Sequence, residues 1–111
     1  MLVGRSKYRA KKTVVDGINF DSRKEADRYL VLKGMEEDGS IENLRRQVRY
    51  ELVPAFDADG RHYRAVYYVA DFVYVEGGKE VVEDVKGMRT DVYKLKSKLF
   101  ARRYGVSIKE T

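Results

Sequence analysis

The chain contains no cysteine and a single histidine, and each scarcity removes a class of chemistry. Without thiols there is no disulfide, no zinc knuckle and no cysteine nucleophile. With His62 alone there is no two-histidine relay and no histidine-rich metal site. His62 follows the turn-like Asp57-Ala58-Asp59-Gly60 and reads as a surface strand residue. A bound metal would need carboxylates and water as ligands, which selects a hard ion such as Mg²⁺ or Mn²⁺. Long apolar runs are missing too. No stretch approaches the roughly 18 apolar residues of a membrane span, and the basic N-terminus lacks the apolar segment of a secretory signal. A cytoplasmic protein with no membrane partner is expected.

What is present suits one domain. The 111 residues are 43% hydrophobic and 37% charged, enough for a single core and too few for two. The net charge of +5 is unevenly placed. Residues 1–12 carry Arg5, Lys7, Arg9, Lys11 and Lys12 with no acid, and read as a basic arm, mobile or ordered by a partner. Residues 86–103 carry Lys86, Arg89, Lys94, Lys96, Lys98, Arg102 and Arg103 against Asp91 alone. The stretch between them is net acidic. Cations at both ends of an acidic middle suit a polyanion held over a carboxylate site, although a solvated tail and helix face would look the same.

Residues 13–111 read as the domain. Val14, Val15 and Ile18 around Asp16-Gly17 suggest a short turn or edge strand. Ser22-Arg23-Lys24-Glu25 is a capping box that starts a helix, with Ala26, Tyr29, Leu30 and Lys33 on one side, Leu32 and Met35 adjacent, and Gly39 as a stop. Alternation over 47–53, ended by Pro54, predicts a strand. A β-rich run follows over 63–75, and Gly77-Gly78 turns it into a returning strand over 80–86. Thr90 caps a second helix to about Tyr104, with Val92, Leu95 and Leu99 as its apolar stripe and Gly105 beyond its end. Residues 106–108 predict a last short strand. The order α-β-β-β-α-β gives an α/β fold, a mixed sheet with helices packed against it.

Chemistry concentrates at one place in that order. Asp84 and Lys86, two apart near a strand end, share a face while Val85 points away. Asp71 lies in the preceding strand, across the hairpin. Carboxylates on two paired strands can hold a divalent ion between them, and a neighbouring lysine can meet a phosphate or a water. Asp-x-Lys alone is common, and a surface ion pair explains most examples. Glu83 should face away from Asp84 and is read as structural.

In this context the chain resembles the PD-(D/E)XK nuclease superfamily. Val69-Ala70-Asp71-Phe72 stands where that superfamily has Pro-Asp, with Ala70 replacing the proline, and Val82-Glu83-Asp84-Val85-Lys86-Gly87 stands where it has (Asp/Glu)-x-Lys. The likeness is to small phage and prophage nucleases, some described as Holliday-junction resolvases, and runs through 6–12, 20–29, 63–74 and 82–99. It implies the restriction-endonuclease-like core, Asp71 and Asp84 as ligands of Mg²⁺ or Mn²⁺, and Lys86 as the group that positions water and steadies phosphate. It suggests that Glu25 completes the acidic cluster, beside the plainer reading of Glu25 as a helix cap. It further implies DNA as partner, a four-way junction as substrate, two opposed nicks made by a homodimer, and host cytoplasm for a phage-encoded chain.

Lys94, Lys98 and Arg102 recur at helical spacing and, with the arm, are the candidate phosphate contacts. Lys96 and Arg103 lie nearer the apolar stripe. Arg45, Arg46 and Arg49 form another candidate group. Tyr67, Tyr68, Phe72 and Tyr74 could stack on bases but fit a core better, and the apolar 66–75 run is a candidate dimer interface. Two rivals stand beside the junction resolvase: a nuclease of this fold for flapped or duplex DNA, and a non-catalytic DNA-binding protein.

Removal of residues 1–12 should weaken binding to every DNA and flatten its salt dependence. Each lost phosphate contact lowers the slope of log K against log salt by about 0.9. An unchanged slope in a salt titration would place the arm away from DNA.

Overall fold

The computed structural model describes residues 12–85 and 89–111. Two caps set the helices. The Ser22 hydroxyl accepts the Glu25 N–H at 3.1 Å and opens α1 (Arg23–Glu37). The Thr90 hydroxyl accepts the Tyr93 N–H at 3.0 Å and opens α2 (Asp91–Tyr104). Gly105, at φ +71°, closes α2 by donating to the Ala101 carbonyl at 2.9 Å.

The central sheet runs in the order β3 (Glu42–Val53), β6 (Val66–Glu76), β7 (Lys79–Asp84), β8 (Lys109–Glu110). Its first two pairings are antiparallel and the last is parallel, with α2 as the crossover. The mixed α/β fold with a restriction-endonuclease-like core is therefore present. Two small hairpins decorate it: β1 (Thr13–Val15) with β2 (Ile18–Phe20), turned by Asp16-Gly17, and β4 (Phe56–Ala58) with β5 (Arg61–Tyr63), turned by Asp59-Gly60. All four turn residues have positive φ, the hairpin conformation that Asp and Gly tolerate.

Four expectations shift. β3 begins five residues before 47, because pairing with β6 and the Arg45–Glu80 ion pair at 2.8 Å hold a polar segment that has little strand propensity of its own. The last strand lies at Lys109–Glu110 instead of 106–108, set by its register with Glu83 and Asp84. In α1, Leu30 is half-exposed and Leu32 is buried. In α2, Val92 and Leu95 are exposed, and the buried side chains are Tyr93 and Phe100 with Leu99 at the edge. Two aromatics seven residues apart cover more sheet than the aliphatic stripe, so they set the rotation of the helix.

The core has two parts, one on each face of the sheet. Ala26, Tyr29 and Leu32 of α1 pack with Phe20, Ile41, Phe72 and Tyr74. Tyr93 and Phe100 of α2 pack with Leu52, Tyr68, Ala70, Val73 and Val82. Tyr68, Phe72 and Tyr74 are thus core residues, and much of the 66–75 run is covered by the chain's own helices. His62 is exposed, with its Nδ1 2.8 Å from Asp57.

One charged contact ties α1 to the sheet. Glu83 is fully buried and accepts Arg28 Nε at 2.6 Å, Arg28 Nη2 at 3.0 Å, the Tyr74 hydroxyl at 2.7 Å and the Thr111 hydroxyl at 3.0 Å. Burial alone would raise the Glu83 carboxyl, but the hydrogen bonds from Arg28 and Tyr74 and the Arg28 charge bring it below its ordinary value.

Arg28→Ala should therefore cost about 3 kcal/mol in urea unfolding, because it leaves a buried carboxylate without its cation. A depressed folded-state pKa stabilises above the unfolded value near 4.5 and is lost as pH falls through the folded value. The gap between wild type and variant should narrow in acid. A gap that is constant from pH 7 to pH 3 would contradict this ion pair.

Candidate active site

The site lies where the sheet's pleat fails. Side chains two apart in a strand share a face, yet Ala70 packs on the α2 side and Phe72 on the α1 side. β3 behaves alike: Val48 and Tyr50 pack on the α2 side, while Leu44 packs on the α1 side and the Arg46 guanidinium lies over Phe20 at 4.5 Å. The reversal falls at Gln47 and Asp71, which stand opposite each other between the pairs Arg46↔Phe72 and Val48↔Ala70. Gln47 has φ +53°, a left-handed conformation that is costly for this residue type.

β7 keeps its alternation. Glu83 and Val85 face α1, whereas Val82 faces α2 and Asp84 meets the α2-side core residue Tyr68. Pairing of β6 with β7 reaches Phe72↔Glu83. Beyond it the Asp71 carboxylate accepts the Val85 N–H at 2.8 Å, so a side chain replaces the next backbone partner. Asp84 accepts the buried Tyr68 hydroxyl at 2.7 Å. Burial, this hydrogen bond and the Asp84 charge raise the Tyr68 pKa and keep the phenol protonated.

Glu25 comes from the first turn of α1 and is 6% exposed. Its N–H completes the Ser22 cap, but its carboxylate turns toward the sheet, 3.3 Å from the donating Gln47 Nε2 and 3.9 Å from Arg46 Nη2. Only the half of the capping box contributed by Ser22 is found here. Burial raises the Glu25 carboxyl, with Asp21 and Asp84 adding to the effect and Arg46 and Gln47 opposing it.

The three acids act on one another. Asp71 is pushed up to about 7, first by burial and then by the charges of Asp84 and Glu25, while the Val85 N–H opposes the rise. Its acid form shares a hydrogen bond with Asp84. These are hard oxygen donors from three separate elements, the donor chemistry that suits Mg²⁺ or Mn²⁺. Among the described residues no group of three or more acidic or histidine side chains that could hold a metal ion is found. Glu25, Asp71 and Asp84 nonetheless repel one another through their charges.

Lys86 and four arm cations, Arg5, Lys7, Arg9 and Lys11, lie outside the described residues. Lys12, Lys94, Lys98 and Arg102 are exposed. Arg45 is paired with Glu80, and Arg49 lies 4.0 Å over the Tyr67 ring. Sequence reasoning missed Gln47, Arg46 and Tyr68 as neighbours of the acids, since nothing local marks them. It missed as well the Tyr93 hydroxyl donating at 2.8 Å to Glu110, the residue paired with Asp84 in the parallel register.

The raised Asp71 carboxyl has a stability consequence of definite sign. Its ordinary value is 3.8 and its folded value about 7, so between them only the folded state holds the proton. Its contribution to stability falls as pH rises through that window. Asp71→Asn keeps an acceptor for Val85 and removes the charge. In metal-free buffer it should be more stable than wild type at pH 8, on the order of 1 kcal/mol once solvent screening is allowed for. The difference should shrink toward pH 4, and equal melting at pH 8 would remove the repulsion.

The residues brought together here fall inside the span that a comparison with known families covers. No curated protein and no solved structure matches the chain. One family profile, described as "Protein of unknown function (DUF1064)", matches residues 5–110, and the chain belongs to that family.

Proposed function

We propose that the chain is a metal-dependent endodeoxyribonuclease of the PD-(D/E)XK kind, acting as a homodimer on branched DNA, with a four-way junction as its substrate. The observation that carries this reading is that the charges of Glu25, Asp71 and Asp84, from α1, β6 and β7, act on one another in a chain of net charge +5. A protein that only binds a polyanion gains nothing from clustered carboxylates, which repel phosphate. The same cluster is useful when a cation bridges it to the phosphodiester.

Asp71 and Asp84 would hold the ion, with Glu25 beside them. When bound, the ion supplies Lewis acidity at phosphorus and lowers the pKa of a water. The Tyr68 hydroxyl orients Asp84, and the Val85 N–H orients Asp71. Lys86, two residues beyond Asp84, is assigned to the attacking water and the scissile phosphate by the superfamily resemblance. Lys94, Lys98 and Arg102, with the basic arm, would follow the flanking phosphates. The choice of a four-way junction and of a homodimer rests on the resemblance alone.

The test is a nicking assay on a synthetic four-way junction, a flap and a plain duplex, each with and without Mg²⁺ or Mn²⁺. Cleavage of the junction in metal is expected. Cleavage of flap or duplex alone would replace the substrate, and binding without cleavage in either ion would leave a DNA-binding protein. Asp84→Asn should lower turnover on the order of 100-fold or more while DNA binding stays or tightens. Glu25→Gln should cut turnover and raise the Mg²⁺ requirement at nearly unchanged melting temperature. A glutamine that turns over normally across a Mg²⁺ titration would leave Glu25 as a cap only.

A further inference from the structure

Four non-glycine residues have positive φ among the described residues, and three have evident reasons. Asp16 and Asp59 sit in two-residue hairpin turns, and Asn43 lies where the β3–β6 register shifts. Asp and Asn also tolerate this conformation better than other residues. Gln47 has neither excuse. It lies inside a twelve-residue strand, in an unshifted stretch of register, and it is not an Asn, Asp or Gly. Strain of this kind persists where surrounding structure enforces it, and it clusters at functional sites.

What the strain achieves is visible in the side chain. Gln47 is exposed, and its carboxamide donates to Glu25 Oε2 at 3.3 Å. That donor is neutral. The neighbouring Arg46 guanidinium, over Phe20, stays 3.9 Å from the same oxygen. Glu25 is thus held by a neutral hydrogen bond and a more distant charge. A buried carboxylate held this way keeps its orientation without being neutralised by a close ion pair, the arrangement that suits a ligand awaiting a cation.

We infer that Gln47 is a positioning residue: its left-handed backbone places a carboxamide that orients Glu25 for a divalent cation shared with Asp71 and Asp84. This rests on the metal-site reading above, and the experiment separates the two. Gln47→Gly removes the carboxamide and relieves the backbone, since glycine adopts positive φ freely, and a Cβ-free residue suits this position. The full chain is titrated with Mn²⁺ by calorimetry without DNA and melted without metal, as wild type, Gln47→Gly, Glu25→Gln and the double variant. Gln47→Gly is expected to melt at or above the wild-type temperature and to bind Mn²⁺ about tenfold more weakly. The double variant should bind no more weakly than Glu25→Gln, because the carboxamide acts through that carboxylate.

Loss of a merely structural glutamine would lower the melting temperature and leave Mn²⁺ affinity alone. Unchanged affinity in Gln47→Gly, with affinity lost in Glu25→Gln, overturns the role of Gln47 and spares the site. Additive losses in the double variant likewise overturn action through Glu25. A wild-type protein that binds no Mn²⁺ removes the metal site itself, and the inference with it.

Discussion

The arrangement of the acids depends on the buried ion pair between Arg28 and Glu83. Glu83 and Asp84 are adjacent, and strand alternation sends one carboxylate to each face of the sheet. On the α1 face the Glu83 charge is met by a two-pronged guanidinium and by the hydroxyls of Tyr74 and Thr111. Arg28 is three residues from Glu25, so the two lie on neighbouring positions of one helix surface. The pair that docks α1 on β7 therefore also fixes how far Glu25 stands from Asp84. Two carboxylates next to each other in the chain thus meet different surroundings: Glu83 is held by a guanidinium and two hydroxyls, and Asp84 by the Tyr68 hydroxyl on the other face.

The second constraint is the break in the pleat. A regular β6 would direct Asp71 to the face opposite Ala70 and pair its backbone onward with β7. Instead the strands part after Phe72↔Glu83, and the Asp71 side chain takes the Val85 N–H. A buried N–H left without a partner costs more than a typical hydrogen bond contributes, so the carboxylate both closes the strand end and is anchored by it. The left-handed Gln47 across the sheet is the other half of this break. Local strain in β3 and a missing backbone pair in β7 thus converge on one pair of acids.

Much of this was readable from local signals. Ser22 and Thr90 announced their helices because a cap involves residues three apart. Gly77-Gly78 marked the hairpin, and period-two alternation separated Glu83 from Asp84. What escaped depends on residues distant in the chain. Residues 42–46, polar except for Leu44, become strand only because β6 lies beside them. The rotation of α2 follows the reach of Tyr93 and Phe100 and not the hydropathy of Val92 and Leu95. The pleat reversal has no sequence signature, since glutamine at a left-handed position contradicts its own preference. Local rules fail most sharply at Gln47, whose left-handed backbone stands beside Glu25.

The division of labour among the cations follows from the same packing. Arg28, Arg45 and Arg103 are held by Glu83, Glu80 and Glu51, Arg46 lies over Phe20 near Glu25, and Arg49 covers Tyr67. Planar guanidinium groups are suited to such forked and stacked contacts, and they stabilise the fold where they are. The helix α2 presents a different set. Lys94, Lys98 and Arg102 are exposed and make no ion pair among the described residues. Cations that stay in solvent remain able to neutralise phosphates of a polyanion, which releases the counter-ions condensed on it. Arg28 of α1 and Arg46 of β3 thus sit beside Glu83 and Glu25, whereas the exposed cations of α2, the next helix after Asp84, are left facing solvent.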